Sequence, residues 1–254
     1  SQAMGGIMAI TGPDKDTPMK VGPGVGDIVP AITCAFGIVS AIYRASKTGK
    51  GQFVDVGMVD AILAVCERIM HQHSFAQTLP VPEGNHHPLL CPFGMFPAKD
   101  GFVTIAAHAD THFPILCRLI GKPEMAIDPR FVTVQDRRAN QDVIIAAVSD
   151  FTRQRTKQEL LKHLGGQVPF SPVYNVRDIV ADPHFKAREM LPWVPHPGLD
   201  HEVQIAGVAV KMTETPGKVR HRAPLLGEHT DQYLQSIGCS AGDIARLRTD
   251  KIVA

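Results

Sequence analysis

The sequence predicts an α/β protein, in which apolar helices alternate with short strands. Two observations carry this prediction. The first half of the chain holds an apolar helical segment at 28–46, a short strand pattern at 52–56 and a second helical segment at 57–72. A hairpin pattern follows at 96–107. The chain has 254 residues, 44% of them hydrophobic and 20% charged, so it can bury a core and is not intrinsically disordered.

The first predicted helix is the most apolar segment of the chain. Asp27 is assigned as its N-cap, and Pro30 falls in the first turn, where proline is tolerated. Apolar residues lie on nearly every side of this helix, so we expect it to be buried. No apolar run reaches the roughly 18 residues that a bilayer span needs, so we do not expect an integral membrane protein.

Beyond the second helix the periodic pattern breaks into a loop rich in proline and glycine, from His73 to Phe96. This loop is the best candidate for a domain boundary. The remaining predicted elements are, in chain order, a hairpin with the turn Lys99-Asp100-Gly101, a helix capped by Asp110 that ends at Leu119, helices at 140–152 and 157–164, strands at 168–174 and 202–211, and a helix that starts at Ser240.

Charge and cysteine content exclude several protein classes. Lysine and arginine total 26 and aspartate and glutamate total 25, and this balance argues against a nucleic-acid binder. The five cysteines are widely spaced and form no C-x-x-C, so neither a disulfide framework nor a zinc site is predicted, and the compartment is predicted to be cytoplasmic. The chain begins at Ser1 without an initiator methionine, which indicates a processed product or a piece of a longer chain.

Three short motifs suggest sites but are not specific. The glycine-rich segment 22–26 precedes a helix, as in phosphate-binding loops, but its spacing matches neither known fingerprint, and a plain helix-entry turn is favoured. The histidine pairs at 71 and 73 and at 86 and 87 lack a third or fourth metal ligand, so no metal site is predicted. The basic run 218–222 could contact a phosphate, but such a run is usually a solvated edge. No nucleophile motif of the serine or cysteine type is present.

Several blocks taken together resemble the family III CoA-transferases, which include the formyl-CoA:oxalate and carnitine CoA-transferases. Each block is only moderately specific, but they occur in order over essentially the whole chain. The blocks are Gln2-Ala3-Met4-Gly5-Gly6, Thr11-Gly12, Gly26-Asp27, Thr48-Gly49-Lys50-Gly51-Gln52-Phe53-Val54-Asp55-Val56, Gly84-Asn85-His86-His87-Pro88, Phe96-Pro97-Ala98-Lys99-Asp100-Gly101 and Ala223-Pro224-Leu225-Leu226-Gly227-Glu228-His229-Thr230.

The resemblance implies an enzyme that moves CoA from an acyl-CoA to a free carboxylic acid. In the family an aspartate attacks the thioester to form an anhydride, and the CoA thiolate then returns to give an enzyme-bound thioester. Coenzyme A is thus part of the substrate, and no permanently bound cofactor is implied. The nucleophilic aspartate is expected just before Ser1, so no catalytic residue is assigned within this chain, and Asp27 and Asp55 match structural positions instead.

The substrate-binding residues implied by the resemblance fall in three places. Gln2 would lie beside the nucleophile and line the pocket. The segment from Glu83 to Pro88 corresponds to a glycine-rich lid, although only Gly84 is a glycine here, which makes Asn85, His86 and His87 candidate acceptor contacts; an ordinary interdomain linker is the alternative. Asp110 lies where racemases of the sister branch place a catalytic glutamate, so an aspartate here favours CoA transfer over racemisation. The simpler interpretation is that Asp110 is a helix N-cap.

The resemblance also implies an architecture, namely part of a Rossmann-like large domain plus a small α+β domain in an interlocked homodimer. Residues 1–76 and 190–254 would belong to the large domain, and 77–189 would form the linker and the small domain. A missing N-terminal segment or subunit is expected as a partner, with no nucleic acid and no membrane. Two alternatives stay open, namely an alpha-methylacyl-CoA racemase-like enzyme and a non-catalytic truncated partner subunit.

Overall fold

A computed structural model describes residues 1–254 as a mixed helix-and-sheet protein. Contacts divide the chain into two compact units, Ser1–Val173 and Tyr174–Ala254. The first unit begins with a short 3-10 helix and three α-helices. These are the 3-10 helix Ile7–Ile10, α1 (Val25–Thr48), α2 (Met58–Val65) and α3 (Ile69–Ser74). The predicted domain division at residues 76 and 189 stays a prediction.

Helix α1 starts three residues earlier than predicted, and this changes the role of two residues. Its N-cap is Gly24, so Asp27 lies inside the first turn and the predicted cap is wrong. Pro30 lies within the helix, where its missing N–H leaves the Gly26 carbonyl without the usual partner. The hydroxyl of Ser1 donates to that carbonyl oxygen at 3.3 Å, which supplies the missing hydrogen bond.

Helix α1 is not buried, which corrects the expectation from its composition. Its most exposed large residues follow one helical stripe, namely Ile32, Phe36, Val39 and Tyr43, each between 65% and 75% exposed. The 24-residue helix is also long and apolar enough, by length and composition alone, to cross a bilayer. The prediction that no apolar segment is long enough to span a bilayer is therefore wrong. The scattered glycine, serine and charged residues of this helix do not make it too polar.

The segment between α1 and α3 differs from prediction in two ways. Residues 52–56 form no strand, since no neighbouring strand pairs with them and Phe53 is 91% exposed. The predicted helix over 57–72 is interrupted at Cys66, whose backbone leaves the helical region, so α2 and α3 are separate helices. This interruption places Arg68 at the start of α3.

A three-stranded antiparallel sheet lies in the same unit. Strands β1 (Phe93–Ala98) and β2 (Gly101–Ala106) form the predicted hairpin with a two-residue connection, and Phe96 pairs with Val103. Strand β3 (Phe170–Pro172) pairs antiparallel with β2 and lies within the predicted strand 168–174. The pairing of β1 with β2 confirms the predicted hairpin. Gly101 at its turn adopts a φ of 142°, which other residues rarely adopt.

Four α-helices follow the hairpin in this unit. They are α4 (Phe113–Leu119), α5 (Val134–Ala139), α6 (Gln141–Thr152) and α7 (Lys157–Leu164). Two of them, α6 and α7, pack against the sheet. The hydrophobic core includes Phe96 and Val103 of the hairpin, Leu116, Ile144 and Leu160, all fully buried. Helices α6 and α7 confirm the predicted ranges, and α7 begins with the predicted capping box at Thr156.

The second unit contains four short helices and one two-stranded ribbon. They are α8 (Val176–Ala181), α9 (Pro183–Ala187), β4 (Trp193–Val194), β5 (Val203–Gln204), α10 (Thr230–Ser236) and α11 (Ala241–Thr249). The predicted strand over 202–211 shortens to β5, because β4 offers only two residues to pair with it. Helix α11 is confirmed, and Ser240 caps it in a capping box with Asp243.

Candidate functional site

The segment 83–88 is anchored to the edge of β1. The N–H of His87 donates to the Phe93 carbonyl at 2.8 Å, and the N–H of Met95 donates to the Asn85 carbonyl at 2.9 Å. His86 and Gly94 form an isolated antiparallel bridge. These bonds place the two histidines of the segment beside the hairpin, whereas the Asn85 side chain is exposed.

Gly84 is required because its backbone conformation and the neighbouring backbone leave no room for a side chain, and not because the segment needs to be mobile. Its φ is 68°, and its N–H donates to the Gly12 carbonyl at 3.0 Å. A Cβ at this position would lie 2.9 Å from the Pro13 carbonyl oxygen, so no side chain fits without a shift. The glycine therefore ties the segment to the turn at 12–13.

The two predicted histidines face aromatic rings. His87 stacks on Phe93 with ring centroids 5.0 Å apart, and Phe93 stacks in turn on His108 at 5.4 Å. His86 contacts Phe96 edge-to-face at 5.3 Å. The hairpin thus brings His86, His87 and His108 to one place, and only the first two were singled out from the sequence.

Burial favours the neutral form of His86 and His87. Burial lowers the pKa of His86, and burial together with the positive charges of Arg68 and His108 lowers the pKa of His87. The N–H of Leu89 donates to Nδ1 of His87 at 3.1 Å. A neutral His87 therefore carries its proton on Nε2 and offers that N–H as a donor.

Arg68 was not singled out from the sequence, and its positive charge acts on His87, whose pKa it lowers. Its Nη1 atom is buried without a hydrogen-bond partner, as are Oε1 of Gln72 one turn later and Nδ1 of His86 and of His108. Buried polar atoms are normally paired, so the Nη1 group of Arg68 is a donor that is free for an acceptor. The only sequence signal for Arg68 is that it is one of the few charged residues within the apolar helix predicted over 57–72.

Asp110 forms an ion pair instead of capping a helix. The N-cap of α4 is His112, so the predicted cap is wrong. The Asp110 carboxylate accepts a hydrogen bond from Arg137, whose side chain is only 2% exposed. Arg137 also donates to the His108 carbonyl at 2.8 Å, so backbone and side-chain contacts link Asp110 to the histidine cluster.

Gln2 contacts a different part of the first unit. Its Oε1 accepts the Val21 N–H at 3.1 Å, and its Nε2 donates to the Pro23 carbonyl at 3.4 Å. Gln2 thereby fixes the loop that leads into α1, and both of its hydrogen bonds are to that loop rather than to the histidine cluster.

The basic run makes internal contacts, and two buried cysteines remain protonated thiols. In the basic run, Arg222 makes two hydrogen bonds to the Glu228 carboxylate at 2.8 and 2.7 Å. Burial raises the pKa of Cys91 and of Cys117 to about 11, so both stay protonated thiols at neutral pH. A thiol in that state is a poor nucleophile, in agreement with the lack of a cysteine nucleophile motif.

Comparison with known proteins identifies the family. The family described as CoA-transferase family III matches residues 1–230. The chain is 43% identical over 242 residues to a succinyl-CoA:mesaconate CoA-transferase of Haloarcula hispanica, covering 95% of this chain and 61% of that protein. It is 33% identical over 258 residues to a succinyl-CoA–D-citramalate CoA-transferase of Chloroflexus aurantiacus, covering 99% and 63%.

A solved structure agrees with the same assignment. The crystal structure of a CAIB/BAIF family protein from Brucella suis superposes with a TM-score of 0.76 and 32% identity, covering 93% of this chain and 61% of that one. The chain thus spans about three fifths of the length of the relatives that it matches. With the family match, the relatives and the fold in agreement, the chain belongs to the family III CoA-transferases.

Proposed function

We propose that this chain is part of an enzyme that transfers CoA from an acyl-CoA to a free dicarboxylic acid. The observation that carries the proposal is the 43% identity to a succinyl-CoA:mesaconate CoA-transferase over 95% of this chain. Succinate, mesaconate and citramalate, which the names of the two relatives contain, each carry two carboxyl groups. Coenzyme A then acts as part of the substrate rather than as a bound cofactor.

The proposed mechanism uses a carboxylate nucleophile from outside these 254 residues. That aspartate attacks the thioester carbonyl and expels the CoA thiolate, which leaves a mixed anhydride on the enzyme. The thiolate attacks the aspartyl carbonyl and releases the donor acid, and the acceptor carboxylate then reverses the two steps. Each step conserves an activated acyl group, which is the advantage of covalent catalysis.

Within the chain, we assign substrate binding to Gly84, Asn85, His86, His87 and Asp110, with Gln2 beside the nucleophile. The anchoring of the segment 83–88 to β1 supports this role, since donors held by the backbone are preorganised. The ion pair between Asp110 and Arg137 supports a positioning role for Asp110. We further propose a homodimer, a partner segment or subunit that supplies the nucleophile, and a cytoplasmic location, which the free cysteines support.

The test is CoA exchange by the full-length protein. Succinyl-CoA is incubated with a ¹³C-labelled dicarboxylic acid, and labelled acyl-CoA is followed by mass spectrometry. We expect label in the thioester only when both substrates are present. Exchange of the α-proton into deuterated water without any acceptor acid, and no label transfer, would instead support the racemase-like alternative.

A further inference from the structure

We propose that Arg68, His87 and His108 form a subsite that binds the second carboxylate of a dicarboxylic acid, the one that does not react. The identity of the ligand rests on the proposed function, whereas the anion-binding character rests on the structure. A residue that binds this carboxylate would determine which acids the enzyme accepts.

The first argument is the unpaired charge of Arg68. Its Nη1 atom is buried and has no hydrogen-bond partner. A buried N–H group without an acceptor is costly, because it loses its hydration without gaining a hydrogen bond. An anion that accepts from this atom would remove that cost.

The second argument is that the neighbouring arginines already have partners. Arg137 is paired with Asp110. Arg138 donates to the Pro88 carbonyl at 2.6 Å and contacts the Glu83 carboxylate at 3.4 Å. Of the three arginines in this region, Arg68 alone lacks a carboxylate, so an incoming anion is drawn to its side of the cluster.

The third argument concerns shape and donor type. His87 offers Nε2–H, because Nδ1 accepts the Leu89 N–H. The Phe93 ring stacks between His87 and His108, with centroid distances of 5.0 and 5.4 Å. The guanidinium of Arg68 and the Nε2–H of His87 are donors that match the two oxygens of a carboxylate.

Calorimetric titration of the full-length protein tests the subsite directly. Succinate is compared with butyrate, which has the same chain length and lacks the second carboxylate. We expect the wild type to bind succinate more tightly than butyrate. We expect R68Q to weaken the binding of succinate by about tenfold or more, as the loss of a charge-assisted hydrogen bond predicts, and to leave the binding of butyrate unchanged. R68K keeps the charge and should recover part of the affinity.

R153Q is the matched control, since Arg153 is an exposed arginine of the same unit. Its succinate affinity should equal that of the wild type, and the thermal unfolding of R68Q should show that it is folded. The inference is overturned if wild-type protein does not prefer succinate, if R68Q and R153Q lose affinity equally, or if R68Q weakens only the binding of CoA.

Label transfer separates this inference from the proposed function. If the wild type transfers CoA and R68Q keeps the same preference for succinate over butyrate as acceptor, the subsite is wrong and the proposed function stands. If succinate binding depends on Arg68 but no transfer occurs, the carboxylate subsite stands and the proposed function is wrong.

Discussion

At the scale of single residues, buried charges organise the first unit. Arg137 is buried, and it donates to the carbonyls of Phe131 and Val132 at 2.9 and 3.1 Å. It also donates to the His108 carbonyl and to the Asp110 carboxylate. Its guanidinium lies 4.9 Å from the centre of the Phe113 ring. One side chain therefore connects α4, α5 and the end of the hairpin.

Replacing Arg137 by methionine should destabilise the protein by about 2–4 kcal/mol, because one buried and two partly buried carbonyls lose their donor. Replacing Asp110 by asparagine should cost only about 1 kcal/mol, since the Asp110 side chain is 76% exposed and Arg137 keeps its backbone partners. Urea unfolding of both variants measures the difference. An Asp110→Asn variant that is less stable than Arg137→Met would contradict this account.

The ion pair of Glu228 makes the stability of the second unit depend on pH in the acid range. Two hydrogen bonds from Arg222 and one from the Leu225 N–H lower the pKa of Glu228 from 4.5 to about 2. The unfolded chain therefore binds the proton first as the pH falls. The stabilising contribution is complete above about pH 4.5 and is lost progressively as the pH falls toward about 2.

We expect the Glu228→Gln variant to lose this part of the acid dependence. Melting temperatures followed by circular dichroism from neutral pH down to acid measure it. Glu202→Gln is the control, because Glu202 is an exposed glutamate of the same unit. Equal acid slopes in wild type and Glu228→Gln would show that the ion pair does not govern the transition.

At the scale of elements, local signals predict the boundaries of several helices and of the hairpin. Thr156 begins α7 by accepting the Glu159 N–H at 3.2 Å, while the Glu159 carboxylate accepts the Thr156 N–H at 2.7 Å. Ser240 and Asp243 do the same for α11. These bonds form between residues three apart, so the sequence contains all the information that they need.

Removal of the Thr156 hydroxyl tests the strength of that signal. The Thr156→Ala variant should lose about 1 kcal/mol of stability, since the Glu159 N–H at the start of α7 loses its acceptor. The Thr156→Ser variant keeps the hydroxyl and should stay close to the wild type. Urea midpoints give both values, and an equal loss in the two variants would mean that the methyl group, rather than the cap, is responsible.

At the scale of the whole molecule, the exposed stripe of α1 is the largest departure from the expected core. Ile32, Phe36, Val39 and Tyr43 follow helical spacing and remain exposed. A contiguous apolar surface of this kind promotes association. The 254-residue chain by itself should therefore self-associate and bind an apolar dye.

A charge in the stripe should reverse that behaviour. We expect Phe36→Glu to weaken self-association by at least about tenfold, as burial of one aromatic side chain predicts. Light scattering after gel filtration over a range of concentrations measures it. Thr48→Glu adds the same charge at an exposed polar position on another side of the helix and is the control. A wild-type chain that stays monomeric at all concentrations would contradict the prediction.

The sequence by itself determined the family, through blocks that occur in order, and the elements whose signals are local, such as the hairpin turn, the capping boxes and the helix pattern of α6. Only the tertiary structure decided that 52–56 is not a strand, that α1 is exposed and that Asp110 pairs with Arg137. It also decided that Phe93 stacks on both His87 and His108 and that the charge of Arg68 acts on His87. The physical reason is that strand pairing, burial and charge neutralisation depend on residues far apart in the chain, and their partners cannot be read from local spacing.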